Sequence, residues 1–299
     1  MSYIYFLFLL IMIPNLNGKT AYPGFNIFTS SVDLSLGGSG FLIGSSISTK
    51  LNPGINHENK IISTSLIRYP AQITSENIGI GIPLKEGSAS LSIFHITYGV
   101  FQGYDELAEK TSKYISQDLS IRVSYSKSFK KLPVQYGLGT QLFRSSLNGI
   151  NNYFVDISFG SILKLDKNNT KLGYSIHHIG NHIYNDSGIE NSIQLVFSIS
   201  KNLNYLPVEV FIDYIKKGKR KNDEFFIGGR LSANKKLKIN FGTSTRKLTQ
   251  NLEQSLAQSI LGDTGFGFSY TINKVVINYG SFIYNNGFLI HSLGIEIPI

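Results

Sequence analysis

A ladder of hairpins constrains this chain more than any other feature. From residue 60 onward, short segments alternate apolar and polar residues and are divided by turns. The pattern predicts strands over 60–68, 75–83, 88–101, 117–128, 133–145, 152–163 and 171–182. It continues over 190–201, 206–216, 223–233, 237–248, 263–272, 274–284 and 288–297. Leu119, Ile121, Val123 and Tyr125 oppose Ser120, Arg122, Ser124 and Ser126, and Val134, Tyr136, Leu138 and Leu142 oppose Gln135, Gly137, Gly139 and Gln141. Val155, Ile157 and Phe159 oppose Asp156, Ser158 and Gly160, while Leu237, Ile239 and Phe241 oppose Lys238, Asn240 and Gly242. Neighbouring strand side chains point to opposite faces, so each segment has one apolar face.

A soluble sandwich shares this alternation, and three features tilt the reading toward a closed, all-β, 14-stranded antiparallel transmembrane barrel. Segments of roughly nine to thirteen residues exceed the usual soluble strand and suit a tilted bilayer crossing. The polar face is built from Ser, Gly, Gln and Asn, too small and wet for a sandwich core and suited to a lumen. The turns also sort into two kinds. Those at 84–87, 129–132, 164–170, 202–205, 234–236 and 273–274 are short and carry or adjoin lysine, whereas 102–114 and 249–262 are the longest of the opposite set. Outer-membrane barrels place short turns on the periplasmic side and longer loops outside. Lipid offers no partner to an open sheet edge, so the sheet must close.

Composition agrees. Charged residues are 16% of the chain, there are 17 Tyr and 20 Phe but no Trp, and there is no Cys for disulfides or thiolate metal sites. Tyr and Phe are therefore expected to supply the interfacial aromatic girdles. The net charge of +9 is expected to reflect lysines in turns rather than a nucleic-acid face. Lys85, Lys130, Lys131, Lys167, Lys201, Lys235, Lys236 and Lys274 form the predicted periplasmic rim, which would meet phosphate headgroups or a periplasmic partner. Residues 4–13 are an unbroken apolar run followed by Pro14 and Gly18, which predicts a signal peptide over 1–18. Residues 19–59 are Gly- and Ser-rich without a sustained period. They are expected to form a hatch in the barrel mouth, with Leu34, Leu36 and Phe41 packed inward, and residues 60–299 the barrel.

Few motifs carry chemistry. Of His177, His178 and His182, strict alternation lets only His178 and His182 share a face, and no carboxylate pattern accompanies them, so a wet strand end outweighs a metal site. Gly37–Gly40 lacks the ending of a phosphate loop, no nucleophile elbow occurs, and neither enzyme nor cofactor is expected. The basic run 216–221 reads as a solvated hairpin tip or a contact for anionic surface glycolipid. Arg122 and Asp156, isolated among small lumen residues, are expected to pair across the interior. Tyr98, Phe101, Tyr104, Asp105 and Glu106 lie in the predicted loop, either as a girdle and solvated turn or as a docking surface for a partner protein.

The fourteen-strand layout with a Gly-rich N-terminal hatch is similar to the long-chain fatty-acid transporters of the outer membrane, the FadL-like barrels. More narrowly, VDLSLGGSG with LNPG, TYGVFQGYDE, QDLSIRVSYSKSF, NNYFVDISFGSIL and the closing FGFSYTINKVVINYGSFIYNNGFLIHSLGIEI resemble the PorV/PorQ barrels of the type IX secretion system, and the PorQ branch more. The chain departs from that pattern in its hatch and in ending on Pro298–Ile299. The resemblance implies a non-enzymatic outer-membrane component of type IX secretion and cell-surface attachment. Its partners would be lipopolysaccharide and a surface-exposed protein docked on the outer loops. The alternative is a transporter of hydrophobic solutes, needing an apolar pocket beneath the hatch and a lateral opening, for which Gly79, Gly81 and Pro83 are candidate kink residues.

Overall fold

A computed structural model describes residues 28–47, 52–129, 132–147, 150–165, 169–185, 193–217, 223–249, 261–284 and 287–299. The expected signal peptide lies outside these residues. One short helix, α1 (Ser31–Ser35), precedes the strands β1 (Ile61–Arg68), β2 (Thr74–Leu84), β3 (Gly87–Tyr104), β4 (Lys110–Ser128) and β5 (Val134–Leu147). There follow β6 (Ile150–Leu165), β7 (Thr170–Asn185), β8 (Gln194–Asn202), β9 (Val208–Lys217) and β10 (Glu224–Ser232). The last four are β11 (Leu237–Ser244), β12 (Thr264–Ile272), β13 (Val275–Ile283) and β14 (Leu289–Pro298). Each strand pairs with its sequence neighbours, and β1 pairs with β14 from Ile61↔Pro298 to Arg68↔His291, closing the barrel. The fourteen-strand expectation holds, each strand lying close to its predicted position.

The alternation sorts inside from outside as a hydrocarbon surrounding demands. Ile121, Val123, Tyr125, Leu138, Ile157, Phe159, Phe241 and Phe268 are exposed on the outer surface, while Ser120, Arg122, Ser124, Asp156, Ser158 and Asn240 are buried inside. Aromatic rings pair on the outer face in place of tryptophan, as at Phe129–Tyr136 and Tyr214–Phe225, each with centroids 4.6 Å apart. The barrel end that carries residues 61 and 298 is the terminal end, and the opposite one is the loop end.

One expectation fails. The long loop predicted at 102–114 is mostly strand: β3 and β4 keep pairing to Tyr104↔Lys110, leaving a turn at 105–109. Cross-strand contacts favour this extension, with Val100 opposite Ile115 and the Phe101 and Tyr114 rings stacked at 5.6 Å. The candidate kink residues Gly79, Gly81 and Pro83 also leave the sheet unbroken, because β2 pairs β1 and β3 without a register shift. These glycines instead make room for the N-terminal segment. A Cβ at Gly79 would stand 2.8 Å from the Ser46 carbonyl oxygen, and one at Gly81 would stand 2.8 Å from the His57 ring.

Candidate functional site in the barrel lumen

The described part of the N-terminal segment lies against inward-facing residues of the wall. Local chemistry sets α1: Ser30 Oγ accepts from Asp33 N at 3.0 Å, and Asp33 Oδ2 accepts from Thr29 N at 3.0 Å, a reciprocal cap. Gly37 ends the helix in the left-handed region at φ 64°, and Gly38 N donates to Asp33 O at 2.9 Å. The helix then rests on a floor of glycines. Cβ atoms at Gly242, Gly265 and Gly280 would collide with the carbonyl oxygens of Leu36, Leu34 and Ser31. Further along, Gly40 N donates to Asp213 Oδ2 at 2.7 Å, and Asp213 also accepts from Ser198 and the Phe41 N–H. Leu34, Leu36 and Phe41 are buried as expected.

Inward-facing residues differ between the two ends. At the loop end they include Ile67, Phe94, Ile96, Phe143, Phe154, Ile215, Phe226, Phe282 and Ile290, all buried. Phe28 and Leu34 of the segment pack with Ile67, Phe282 and Ile290, and Phe41 packs with Val196, Ile215 and Phe226. At the terminal end most inward residues are small or charged, although Ile162 and Phe211 are also buried there. A cavity of about 190 Å³ there is bounded by Asp33, Ser45, Arg230, Lys238, Asn278 and Glu296, among others. Arg230 Nε donates to Asn240 Oδ1 at 3.0 Å, and its guanidinium lies 5.9 Å from the Phe211 ring centroid. His57, whose N–H donates to Ser88 Oγ at 2.9 Å, has its imidazole pKa held below the ordinary value by burial.

Between the two ends lies a polar row. Arg122 and Asp156 both face the lumen, only 4% and 0% exposed, and their charges interact, but no direct ion pair joins them among the described residues. Gln141 stands between them, in register with Arg122 on one side and Asp156 on the other. That places two strand spacings, about 10 Å, between their backbones. Asp156 Oδ2 instead meets His178 Nδ1 at 2.9 Å, while Arg122 Nε and Nη2 have no hydrogen-bond partner among the described residues.

A bulge overturns the expected alternation at the histidines. Ile157 pairs with Ile179 and Phe159 with Ile176, so His177 and His178 together oppose Ser158. His178 takes φ 63°, which turns both imidazoles into the lumen; His177 Nε2 meets Ser175 Oγ at 2.8 Å, and His182 packs on Phe154. No group of three or more metal-ligating residues occurs among the described residues.

Asp213 and the apolar loop-end ring were missed as site residues. Asp213 had one sequence signal, a carboxylate between Ile212 and Tyr214 in the mostly apolar VFIDYI.

The predicted outer and rim residues scatter. Tyr98 turns toward the lumen and donates to Asp118 Oδ2 at 2.8 Å, whereas Phe101 and Tyr104 are exposed. Asp105 Oδ1 accepts from Leu107 N and Glu109 N, so it shapes the turn, and Glu106 is exposed beside it. Lys85, Lys201, Lys235, Lys236 and Lys274 all lie exposed at the terminal end. Lys130, Lys131 and Lys167 fall outside the described residues, as do residues 218–221 of the basic run and 250–260 of the second long loop.

No protein-family model matches the chain, and no curated protein matches its sequence. Solved structures do share its fold. The toluene transporter TbuX of Ralstonia pickettii superposes with a TM-score of 0.61 at 12% identity, over 90% of this chain and 98% of that one. A deltaS2S3 mutant of the monoaromatic hydrocarbon channel TodX gives 0.59 at 11% identity, over 90% and 99%. A FadL homologue of Pseudomonas aeruginosa gives 0.58 at 9% identity, over 90% and 98%. The architecture is that of FadL-like outer-membrane barrels, and no comparison supports the narrower likeness to PorV/PorQ barrels.

Proposed function

We propose that this barrel sits in an outer membrane, terminal end toward the periplasm, and carries hydrophobic solutes inward. One observation carries the reading: the inward face changes from mostly small and polar at the terminal end to one richer in large apolar side chains at the loop end, where Phe94, Phe143, Phe154 and Phe282 are buried. A polar pore has no use for such a face, since apolar surface facing water costs roughly 25 cal/mol per Å². An apolar solute arriving from outside gains from it. Residues 28–47 and 52–59 act as the hatch, held by the glycine floor and Asp213. The shared architecture with a toluene transporter and a hydrocarbon channel supports the same choice. It leaves the type IX secretion reading resting on degenerate motifs alone.

The test is extraction of the native barrel in mild detergent followed by mass spectrometry of its non-covalent guests. An apolar solute or fatty acid bound in wild type, and lost in a folded Phe143→Asp variant, is the expected result. A guest-free barrel in both samples would overturn the assignment.

A further inference from the structure

The β3–β4 hairpin outgrows its neighbours. β2 pairs with β3 only as far as Thr97, and β5 with β4 only as far as Gln117, yet β3 and β4 stay paired to Tyr104↔Lys110. Residues 98–104 and 110–116 therefore form a two-stranded ribbon standing roughly 20 Å along the strand beyond the wall. Among the described residues, no backbone hydrogen bond reaches Val100, Phe101 or Tyr104 from the side away from β4. The Gly103 carbonyl is covered by the Gln102 side chain. Apolar groups are exposed along the ribbon, with Val100 at 64%, Tyr104 at 59%, Ile115 at 53% and Leu107 at 83%.

The two open edges are not alike. Lysines guard many natural edge strands against further pairing. The β4 edge carries Lys110 and Lys113, while the β3 edge has no charged residue from Tyr98 to Tyr104. The bulge at Thr97/Gly99 marks where β3 leaves β2, and it turns Tyr98 onto Asp118 so that the next residues stand clear. At the tip, Asp105, Glu106 and Glu109 are exposed, a local acidic cluster on a chain of net charge +9. An unguarded edge, apolar side chains beside it and an acidic cap together specify an occupant.

We infer that the β3 edge of this ribbon docks an extended segment of another cell-surface protein by strand addition. That segment is apolar at alternate positions and bears a lysine or arginine where it passes the acidic tip. The inference stands apart from solute transport, because the ribbon lies outside the lumen.

Amide hydrogen exchange read in native outer membranes and in the purified barrel tests it. The amides of Val100–Gly103 should exchange at least about tenfold more slowly in the membranes than in the purified protein. The protection should vanish in Val100→Lys, which gives β3 the guard that β4 carries, while heat-modifiable migration on gels shows the barrel still folded. It should weaken with salt and in a D105N/E106Q/E109Q variant. Equal exchange in both samples would overturn the inference, as would protection that survives Val100→Lys. So would protection regained by the purified barrel in a lipopolysaccharide bilayer, which would assign the edge to glycolipid. Cross-linking between isotopically distinct copies of this chain would assign it to self-association.

Discussion

Along β1, Ser63 and Ser65 face the lumen toward the terminal end and Ile67 faces it at the loop end; along β5, Gln135 and Gly137 give way to Phe143; along β14, Glu296 and Gly294 give way to Ile290. The same strands thus present two different solvents to whatever enters. The terminal end holds polar surface and a charged cavity, and there the N-terminal segment fits by backbone contact and hydrogen bonds. The loop end holds aromatic and branched side chains, and there the segment fits by packing. The difference teaches that the barrel wall is uniform in architecture and that inward composition divides the lumen.

Substitutions at the two ends should therefore fail in different ways. The largest effect is expected at the loop end. Phe282→Ala removes the ring that meets Phe28 at a centroid distance of 4.9 Å and should cost about 3–5 kcal/mol, read as a lower urea midpoint in lipid. At the terminal end Gly137→Val comes next, because its side chain would push on the Pro53 carbonyl. A loss of about 1–3 kcal/mol is expected, with faster proteolysis of residues 28–59 while the strands stay resistant. If the strands and the segment were lost together, the segment would be part of the barrel's folding unit and the comparison would break.

Arg122→Met probes the polar row between the two ends. Its Nε and Nη2 lack hydrogen-bond partners among the described residues, and Asp156 keeps His178, so exchanging the guanidinium for an apolar side chain of similar length should change stability by less than about 1 kcal/mol. A large loss would mean the row holds the wall together. The smallest effect concerns pH. Burial lowers the His57 pKa in the folded state, so the unfolded chain binds a proton first as pH falls below its own value of about 6.5. Stability should be fully present above that pH and decline as it falls toward the lower folded value. His57→Gln should flatten that slope without touching loop-end packing.

The wall was legible in the sequence because a barrel strand obeys one local rule. Leu119 to Tyr125 and Val134 to Leu142 alternate so regularly that face and position follow directly. Positions where the rule is broken escaped. The extra residue at His177–His178 reverses the facing of everything beyond it, and nothing in HHIG announces a bulge. The glycines of β11 to β13 read as neutral lumen residues, since their meaning lies in carbonyls more than 200 residues away in the chain. Arg122 and Asp156 were rightly placed inside, but pairing them required knowing that Gln141 stands between. The ribbon was missed because Gly99 and Gly103 look like loop residues, while cross-strand contacts keep the chain extended.

The most direct test of the central claim is uptake of radiolabelled toluene by intact bacteria whose outer membrane carries this barrel, compared with cells carrying an empty vector. Wild type should accelerate uptake, and a folded Phe143→Asp/Phe154→Asp variant, which makes the loop end polar and leaves the terminal end untouched, should return it to the vector rate. Uptake equal in all three strains, or undiminished in the variant, would contradict a lumen divided for the entry of apolar solutes.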